Sequence, residues 1–538
     1  MQWLNQILTH CQNNPDHPMV EVLSSAGEST VYRSQEIVAT AEALSQWLNE
    51  SKVLRGRPLK IGLVTHNSVE WVVADLALLL SNSIEVPVPL AFSTDQAAHL
   101  LHDVDLCLVD QKGLQRLNAW FPENDPELRC PPYHLLEMDT LLALAKHRVP
   151  DISAVHAPAD DEQTLCKIIH TSGTTSRPKG VKIRSQGIGH LLVSLHGRVA
   201  KGTYARYLSL VPLSLLIEQV VGVYLTFLDG GTLVFLPANE PLLGESNATT
   251  KQMLTWLARA KPAALTLPPS MVEALLAECR LHPNESVAAR LSRLFGEAAV
   301  PFIACGGAPT DPKVLLELIA YGLPVYEGYG LSENSSVVAW NSPHCFKLGT
   351  VGKPLEHVQI KLNAHKELLV KSTSLFAGYA NLDPSSCDID SEGWLHTGDI
   401  AEIDDEGYLR IFGRKKNLII TANGRNVSPE WVESRYKSLD AVEHAVLFGD
   451  GLESLHGFFV IAPQHDLNHA ATEIQAFGRH LSEIERVEQI SVVQSSEQIY
   501  ADFFTVTGRP LRDRIWAWMN ESRAATTATH PAPQLVDA

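Results

Sequence analysis

Short β-rich runs alternate with segments of helical periodicity over the first 400 or so residues of this 538-residue chain. "LKIGLV" (59–64) reads as a buried strand. "NSVEWVVADLALLLS" (67–81) follows, with apolar residues at helical spacing and Asn67 or Ser68 as the cap. A short run around "EVPVP", a helix around 93–102 and the strand-like "DLCLVD" (105–110) repeat the pattern. Further strands are expected within 166–170, 207–211, 231–237, 262–268, 301–305 and 323–330. Alternation of this kind calls for a layered α/β fold with helices on both sheet faces.

The texture changes after about residue 345. "VGKPLEHVQIKLNAHKELLVKS" and "DIAEIDDEGYLRIFGRKKNLIITANG" carry the short strands and turn signals of a small β-rich piece. "SPEWVESRYKSL", "AVEHAVLFG", "HGFFVIAP" and a helical 470–488 then suggest a compact α+β domain. The end, 522–538, is rich in Ala, Thr and Pro and is expected to be disordered. At roughly 150 residues per domain, the length suits two to four units.

Composition narrows the function classes. Hydrophobic residues at 45% and charged residues at 19% describe a soluble globular chain. The net charge of −18, from 43 basic and 61 acidic residues, argues against a nucleic-acid partner. Eight cysteines lie scattered without a C-x-x-C pair and read as buried, reduced thiols. The N-terminus has neither a basic start nor a long apolar run, so no signal peptide is expected. The longest apolar stretch, 220–237, is broken by Asp229-Gly230-Gly231, so no transmembrane segment is expected. A cytoplasmic location follows, with peripheral attachment to a membrane as the alternative.

Three stretches carry chemistry. "HTSGTTSRPKGV" (170–181) offers hydroxyls at Thr171, Ser172, Thr174, Thr175 and Ser176, bends at Gly173 and Gly180, and the charge of Lys179. It departs from G-x-x-x-x-G-K-[ST], because Lys179 precedes Gly180 and Val181 stands where a hydroxyl would be. It follows a strand and precedes the helical stretch that begins at Ser185, and its backbone N–H groups can cradle an anion. "YEGYGLSENS" (326–335) sets Tyr329 between Gly328 and Gly330, a ring that can stack on a flat base. Glu333 just beyond suits a magnesium that bridges phosphates, with Ser332 as a hydroxyl partner. Within 393–429, Asp399 suits the two hydroxyls of a ribose, and Arg414 can fork onto the same sugar or a phosphate.

In this order and spacing the three stretches resemble the adenylate-forming superfamily of acyl-CoA synthetases, firefly luciferases and peptide-synthetase adenylation domains. The likeness runs over roughly residues 15–515. "TSGTTSRPKGV" is similar to that family's Thr/Ser/Gly-rich loop, "GYGLSE" to its Y-G-[ML]-[TS]-E segment, and "LHTGD" and "GRKKNLI" to its ribose and hinge segments. The resemblance implies a large N-terminal domain (1–413) of layered α/β subdomains plus a β-rich subdomain. A small mobile α+β C-terminal domain (414–520) and a tail (521–538) would complete the chain. It implies ATP, Mg²⁺ and CoA, with Thr171, Ser172, Gly173, Thr174, Thr175 and Lys179 around the phosphates. Thr174 and Glu333 would hold the metal, and Gly306, Gly307 and Ala308 would line the adenine and acyl pockets. Glu327, Gly328, Tyr329, Gly330 and Ser332 would surround the base and α-phosphate, while Asp399 and Arg414 take the ribose. Lys416 falls at the hinge, and Gly424 in the loop that enters the site for thioester formation.

Two positions depart from the family. "FTVTGRPLRDRI" puts Arg509 where a catalytic lysine is usual, keeping the charge on a bulkier planar group. In "PLSLLIEQ" (212–219), Leu215 replaces the His of P-L-[SA]-H-x-x-E, while Glu218 keeps its place. This texture leans toward the long-chain acyl branch. It implies a ligase that activates a fatty or otherwise apolar carboxylic acid and passes the acyl group to CoA. Transfer to a separate acyl carrier protein is one alternative. An adenylate-fold protein of impaired chemistry, acting as a binding subunit, is another.

Overall fold

The structure is a computed structural model that describes residues 1–25, 28–122, 132–137, 140, 151–171, 179–243, 245, 248–297, 299–380, 387–422, 425–504, 508–526 and 535–537. The layered α/β expectation holds. A seven-stranded sheet runs, in spatial order, Tyr379–Ala380, Lys179–Arg184, Leu165–Thr171, Ile84–Pro87, Lys60–Val64, Leu106–Val109 and Tyr133–Leu135. From Leu165–Thr171 outward to Tyr133–Leu135 the pairing is parallel. A nine-stranded sheet has a parallel centre built from Val325–Leu331, Phe302–Cys305, Ala264–Leu267, Arg206–Ser209, Thr232–Phe235 and Pro18–Val22, with antiparallel strands at both ends.

One apolar core joins these sheets. It takes Ile61 and Leu63 from one, Tyr207 and Leu233 from the other, and Leu4, Trp71, Leu76, Ile188 and Leu191 from the helices against them. The helix Val69–Leu80 shows why the sequence folds this way. Ser68 caps it, accepting from the Trp71 N–H, and all of its residues except Glu70 are buried. A helix apolar on every side belongs inside a large core. Asn67, the other candidate cap, instead bonds Ser209 Oγ at 2.9 Å, the Val211 carbonyl at 2.7 Å and the Leu213 N–H at 2.8 Å.

That buried helix also carries Asp75. Lys167, on Leu165–Thr171, donates to Asp75 Oδ1 at 2.5 Å and to Glu85, which lies opposite it on Ile84–Pro87. The Tyr224 hydroxyl donates to both Asp75 oxygens at 2.9 Å. Gln219 Nε2 reaches Glu85 Oε1 at 3.4 Å and the Leu213 carbonyl at 2.7 Å. Burial pushes the Glu85 carboxyl up, Asp75 adds to the rise, and Lys167 opposes it. The network ties the strand that leads into 172–178 to the segment 211–217.

A four-stranded antiparallel sheet, Val358–Leu362, Glu367–Ser372, Leu395–Ile403 and Leu409–Arg414, is the β-rich piece foreseen after residue 345. Beyond it, Val442–Phe448, Leu455–Ile461, Val487–Gln494 and Leu535–Asp537 form a mixed sheet. Side chains alternate across it. Val446, Phe458 and Val460 face Phe503, Ile515 and Met519, while Leu447, Phe459 and Ile461 face Tyr436 and Ile474.

One local expectation changes, and one strand was not foreseen. The helix expected over 470–488 is Leu467–Gly478, and Val487–Gln494 is a strand. The helix expected from Ser185 is present as Ser185–His196. Before it, Lys179–Arg184, a strand not foreseen from the sequence, pairs antiparallel with Leu165–Thr171. The helix Arg512–Thr526 runs into the segment read as a tail. Among the described residues no helix is long and apolar enough to cross a membrane. The described cysteines are all free, and Cys130 lies outside the described residues.

Candidate active site

A continuous cleft of about 3880 Å³ opens at the C-terminal edges of the two large sheets and continues along the small sheet domain. A typical small-molecule pocket holds roughly 300–1,000 Å³, so this one has room for several substrates at once. Lys179, Gly306, Gly307, Ala308, Glu327, Gly328, Tyr329, Gly330, Ser332, Glu333, Asp399, Arg414, Lys416 and Arg509 all line it. Ser172, Gly173, Thr174, Thr175, the Thr171 side chain and Gly424 lie outside the described residues.

The backbone explains the glycines. Gly306 follows the strand Phe302–Cys305, and a Cβ there would meet the Gly328 carbonyl at 3.2 Å. Gly330 is held more tightly, since its Cβ would lie 1.9 Å from the Ser336 carbonyl. The register slips between Tyr329 and Gly330, so the chain kinks where the ring is presented.

Asp399 and Arg414 meet because they lie opposite each other on Leu395–Ile403 and Leu409–Arg414. Arg414 Nε stands 2.9 Å from Asp399 Oδ1, and its other arm donates to the Thr397 carbonyl at 3.2 Å. The Tyr329 hydroxyl donates to Asp399 Oδ2. Ring, carboxylate and guanidinium thus form one unit. Burial raises the Asp399 carboxyl above its ordinary range, and Arg414 pulls the other way.

Cations converge on this unit. Burial lowers the Lys416 ammonium, and Arg414, Lys179 and Arg509 lower it further by repulsion, with Asp399 opposing. Arg509 is lowered by burial first and by Arg414 second, again with Asp399 opposing. Positive groups crowded so closely suit a polyanion.

Glu333 sits in the short turn Ser332–Asn334. Its Oε1 accepts from the Tyr379 hydroxyl at 2.9 Å. Among the described residues no cluster of three or more His, Cys, Asp or Glu could hold a metal ion. A lone carboxylate nonetheless fits magnesium, which keeps most of its waters and shares phosphate oxygens rather than filling an all-protein cage.

The sequence reading missed Tyr379, which no motif marks, and His170, quoted at the start of the loop and given no role. Burial pushes the His170 imidazole down to about 4, so it lines the cleft uncharged near neutral pH. Glu327 also faces the cleft, and burial raises it to about 7, against hydrogen bonds from Thr310.

A second lobe of the cleft is apolar. Leu213, Leu215, Leu216, Ile217, Val221 and Leu242 line it. Glu218 lies behind this wall, fully buried, accepting from Ser209 Oγ at 2.6 Å and the Tyr207 hydroxyl at 2.9 Å. Burial pushes its carboxyl to about 8, above what those two bonds recover. The folded chain therefore holds a proton that the unfolded chain loses above about pH 4.5, and stability falls as pH rises from there toward 8. Glu218→Gln removes this component. Its melting temperature is expected to decline less than the wild type's between pH 5 and 8, and parallel melting curves would refute the buried neutral carboxyl.

Comparison with known proteins agrees with the architecture. Residues 8–380 match the family model described as AMP-binding enzyme. The long-chain-fatty-acid–CoA ligase FadD15 of Mycobacterium bovis is 25% identical over 447 residues, covering 73% of this chain and 72% of that protein. The anthranilate CoA ligase AuaEII, solved with anthranoyl-AMP, superposes with a TM-score of 0.78 at 18% identity, over 97% of this chain and 98% of that one. The o-succinylbenzoate coenzyme A synthetase of Bacillus subtilis, solved with ATP and magnesium, gives 0.72 at 21% identity, over 95% and 98%. At these identities the two structures speak for the fold.

Proposed function

We propose, because this chain belongs to the AMP-binding enzyme family, that it is an ATP-dependent ligase joining a fatty or otherwise apolar carboxylic acid to the thiol of CoA. The carrying observation is the convergence of Lys179, Arg414, Lys416 and Arg509 with Asp399 and Glu333 in one cleft that continues into an apolar lobe. In the first step a carboxylate oxygen attacks the α-phosphorus of ATP. The bond to the bridging oxygen breaks, and pyrophosphate leaves with the electron pair. In the second step a thiol sulfur attacks the acyl carbon, its proton passes to solvent, and AMP departs.

The difficulty is that one anion attacks another. Lys179, Lys416 and Arg509 screen that approach with fixed positive charge. Magnesium held by Glu333 would screen the phosphates further. Asp399 takes the ribose hydroxyls, Tyr329 stacks on adenine, and Gly306 to Ala308 leave room for the base and the acyl head. Arg509 does the work of the family's lysine with a planar group. We read residues 1–413 as the nucleotide-binding domain and 414–520 as the lid that brings Arg509 to it.

Support for an apolar acid comes from the second lobe. Among its described residues, 211–217, Val221 and Leu242 contribute no lysine or arginine that would meet a second carboxylate such as that of o-succinylbenzoate. Each buried methylene gains about 0.8 kcal/mol there. The sequence similarity to a fatty-acid ligase points the same way.

The test is pyrophosphate release with a panel of acids, with the products read by mass spectrometry in the presence of CoA or a phosphopantetheinylated carrier protein. Fatty or aromatic monocarboxylates with CoA are expected to be productive. Acyl transfer to the carrier alone would move the acceptor assignment. No release with any acid would favour a binding protein over a ligase.

A further inference from the structure

Tyr379 belongs to none of the motifs, yet two charged groups of the site meet on it. It lies on the two-residue strand Tyr379–Ala380, which pairs antiparallel with Lys179–Arg184 and puts Tyr379 opposite Val181. The Lys182 N–H donates to the Gly378 carbonyl at 3.1 Å, and the Ala377 N–H to the Lys182 carbonyl at 2.9 Å. These bonds clamp the 377–380 segment to the strand that begins with Lys179. One residue earlier, the Phe376 N–H donates to the Glu333 carbonyl at 2.8 Å. Phe376 also packs edge-on against Tyr379, with centroids 4.9 Å apart. The main chain thus brings Glu333 and Lys179 to the same tyrosine.

The side chain completes the link. The hydroxyl donates to Glu333 Oε1 at 2.9 Å, and the Lys179 ammonium stands 4.9 Å from the ring centroid. Tyr379 is only 7% exposed, so its own position is set by packing. A glutamate carboxyl turns easily about its last torsion. Tying Oε1 to a hydroxyl fixes the plane and leaves Oε2 for another partner. The ring face meanwhile holds a lysine that would otherwise swing on four methylenes.

We propose that Tyr379 is a positioning residue, whose hydroxyl orients the Glu333 carboxylate for a divalent cation while its ring orients Lys179 for the phosphates of a nucleotide. This rests on the ligase reading and adds to it a residue through which the metal and phosphate elements are held at a fixed separation.

Two substitutions separate the two halves. Tyr379→Phe keeps the ring and removes the hydroxyl. Tyr379→Leu removes both. ATP binding would be followed by calorimetry without any acid, over a magnesium series and in EDTA. For Tyr379→Phe, the magnesium concentration giving half-maximal ATP binding is expected to rise about 10-fold or more, as when a partner of a metal ligand is lost. Its ATP affinity in EDTA should match the wild type. For Tyr379→Leu, affinity in EDTA should fall as well, by about 3-fold or more. In a Glu333→Gln background, Tyr379→Phe should add no further magnesium shift. If Tyr379→Leu fails to fold, the Tyr379→Phe and Glu333→Gln pair carries the test alone. An unchanged magnesium series for Tyr379→Phe, or an equal shift in the Glu333→Gln background, overturns the inference while wild-type ATP binding preserves the ligase reading. Wild-type protein that does not bind ATP overturns both.

Discussion

Lys167→Met is expected to destabilise the protein by roughly 3–5 kcal/mol, the range for removing one partner from a buried ion cluster. At about 2–4 °C per kcal/mol for units of 150–250 residues, the melting temperature should drop by roughly 6 °C or more. Lys167 has no exposed surface and contacts both Asp75 and Glu85. Methionine fills most of the space but leaves Asp75 with the Tyr224 hydroxyl as its remaining donor among these groups. An isolated carboxylate in such surroundings must either pay for its charge or take up a proton. Neutralising the partners, with Asp75→Asn and Glu85→Gln added to Lys167→Met, should recover much of the loss. Unfolding followed by circular dichroism measures both. A single variant that melts like the wild type would mean the three charges do not depend on one another.

Asp399→Ala is expected to lower kcat/KM for ATP by about 10²-fold or more. Hydrogen bonds to a charged group contribute roughly 1.5–3 kcal/mol each, and on the proposed reading a ribose would offer two hydroxyls to this carboxylate. The change also strips Arg414 of its cross-strand partner and Tyr329 of its acceptor, so the Tyr329 ring loses an anchor. Asp399→Asn, which keeps the shape and one acceptor, should lose less. Pyrophosphate release at varied ATP, with the best acid of the panel, gives the comparison. Near-normal kcat/KM in the alanine variant would remove the ribose from this corner of the cleft.

Asp399 and Arg414 could each be singled out in the sequence because they sit in short motifs, but their pairing came only with the cross-strand register. The strands around the cleft were legible too, since a run such as 301–305 is apolar and ends at Gly306-Gly307. The misreadings have physical causes. In "KGVKIR", Val181 and Ile183 point inward at a period of two, but six residues beside a glycine-rich loop gave that alternation little weight. In "VEQISVVQ", the β-branched content favoured a strand over a continued helix, and the strand formed because it pairs in parallel with Leu455–Ile461. Tyr379 could not be singled out by any local rule. Its role arises from pairing with a strand nearly 200 positions earlier in the chain.

The crowding of Lys179, Arg414, Lys416 and Arg509 carries a mechanical consequence. Repulsion from Arg414 adds to burial in lowering both the Lys416 ammonium and the Arg509 guanidinium, and Asp399 offsets part of it. On the ligase reading, a bound nucleotide would relieve that repulsion, and part of its attraction would go into holding 414–520 against the rest of the chain. On the same reading, departing pyrophosphate would take much of the negative charge with it and restore the repulsion before the thiol attacks.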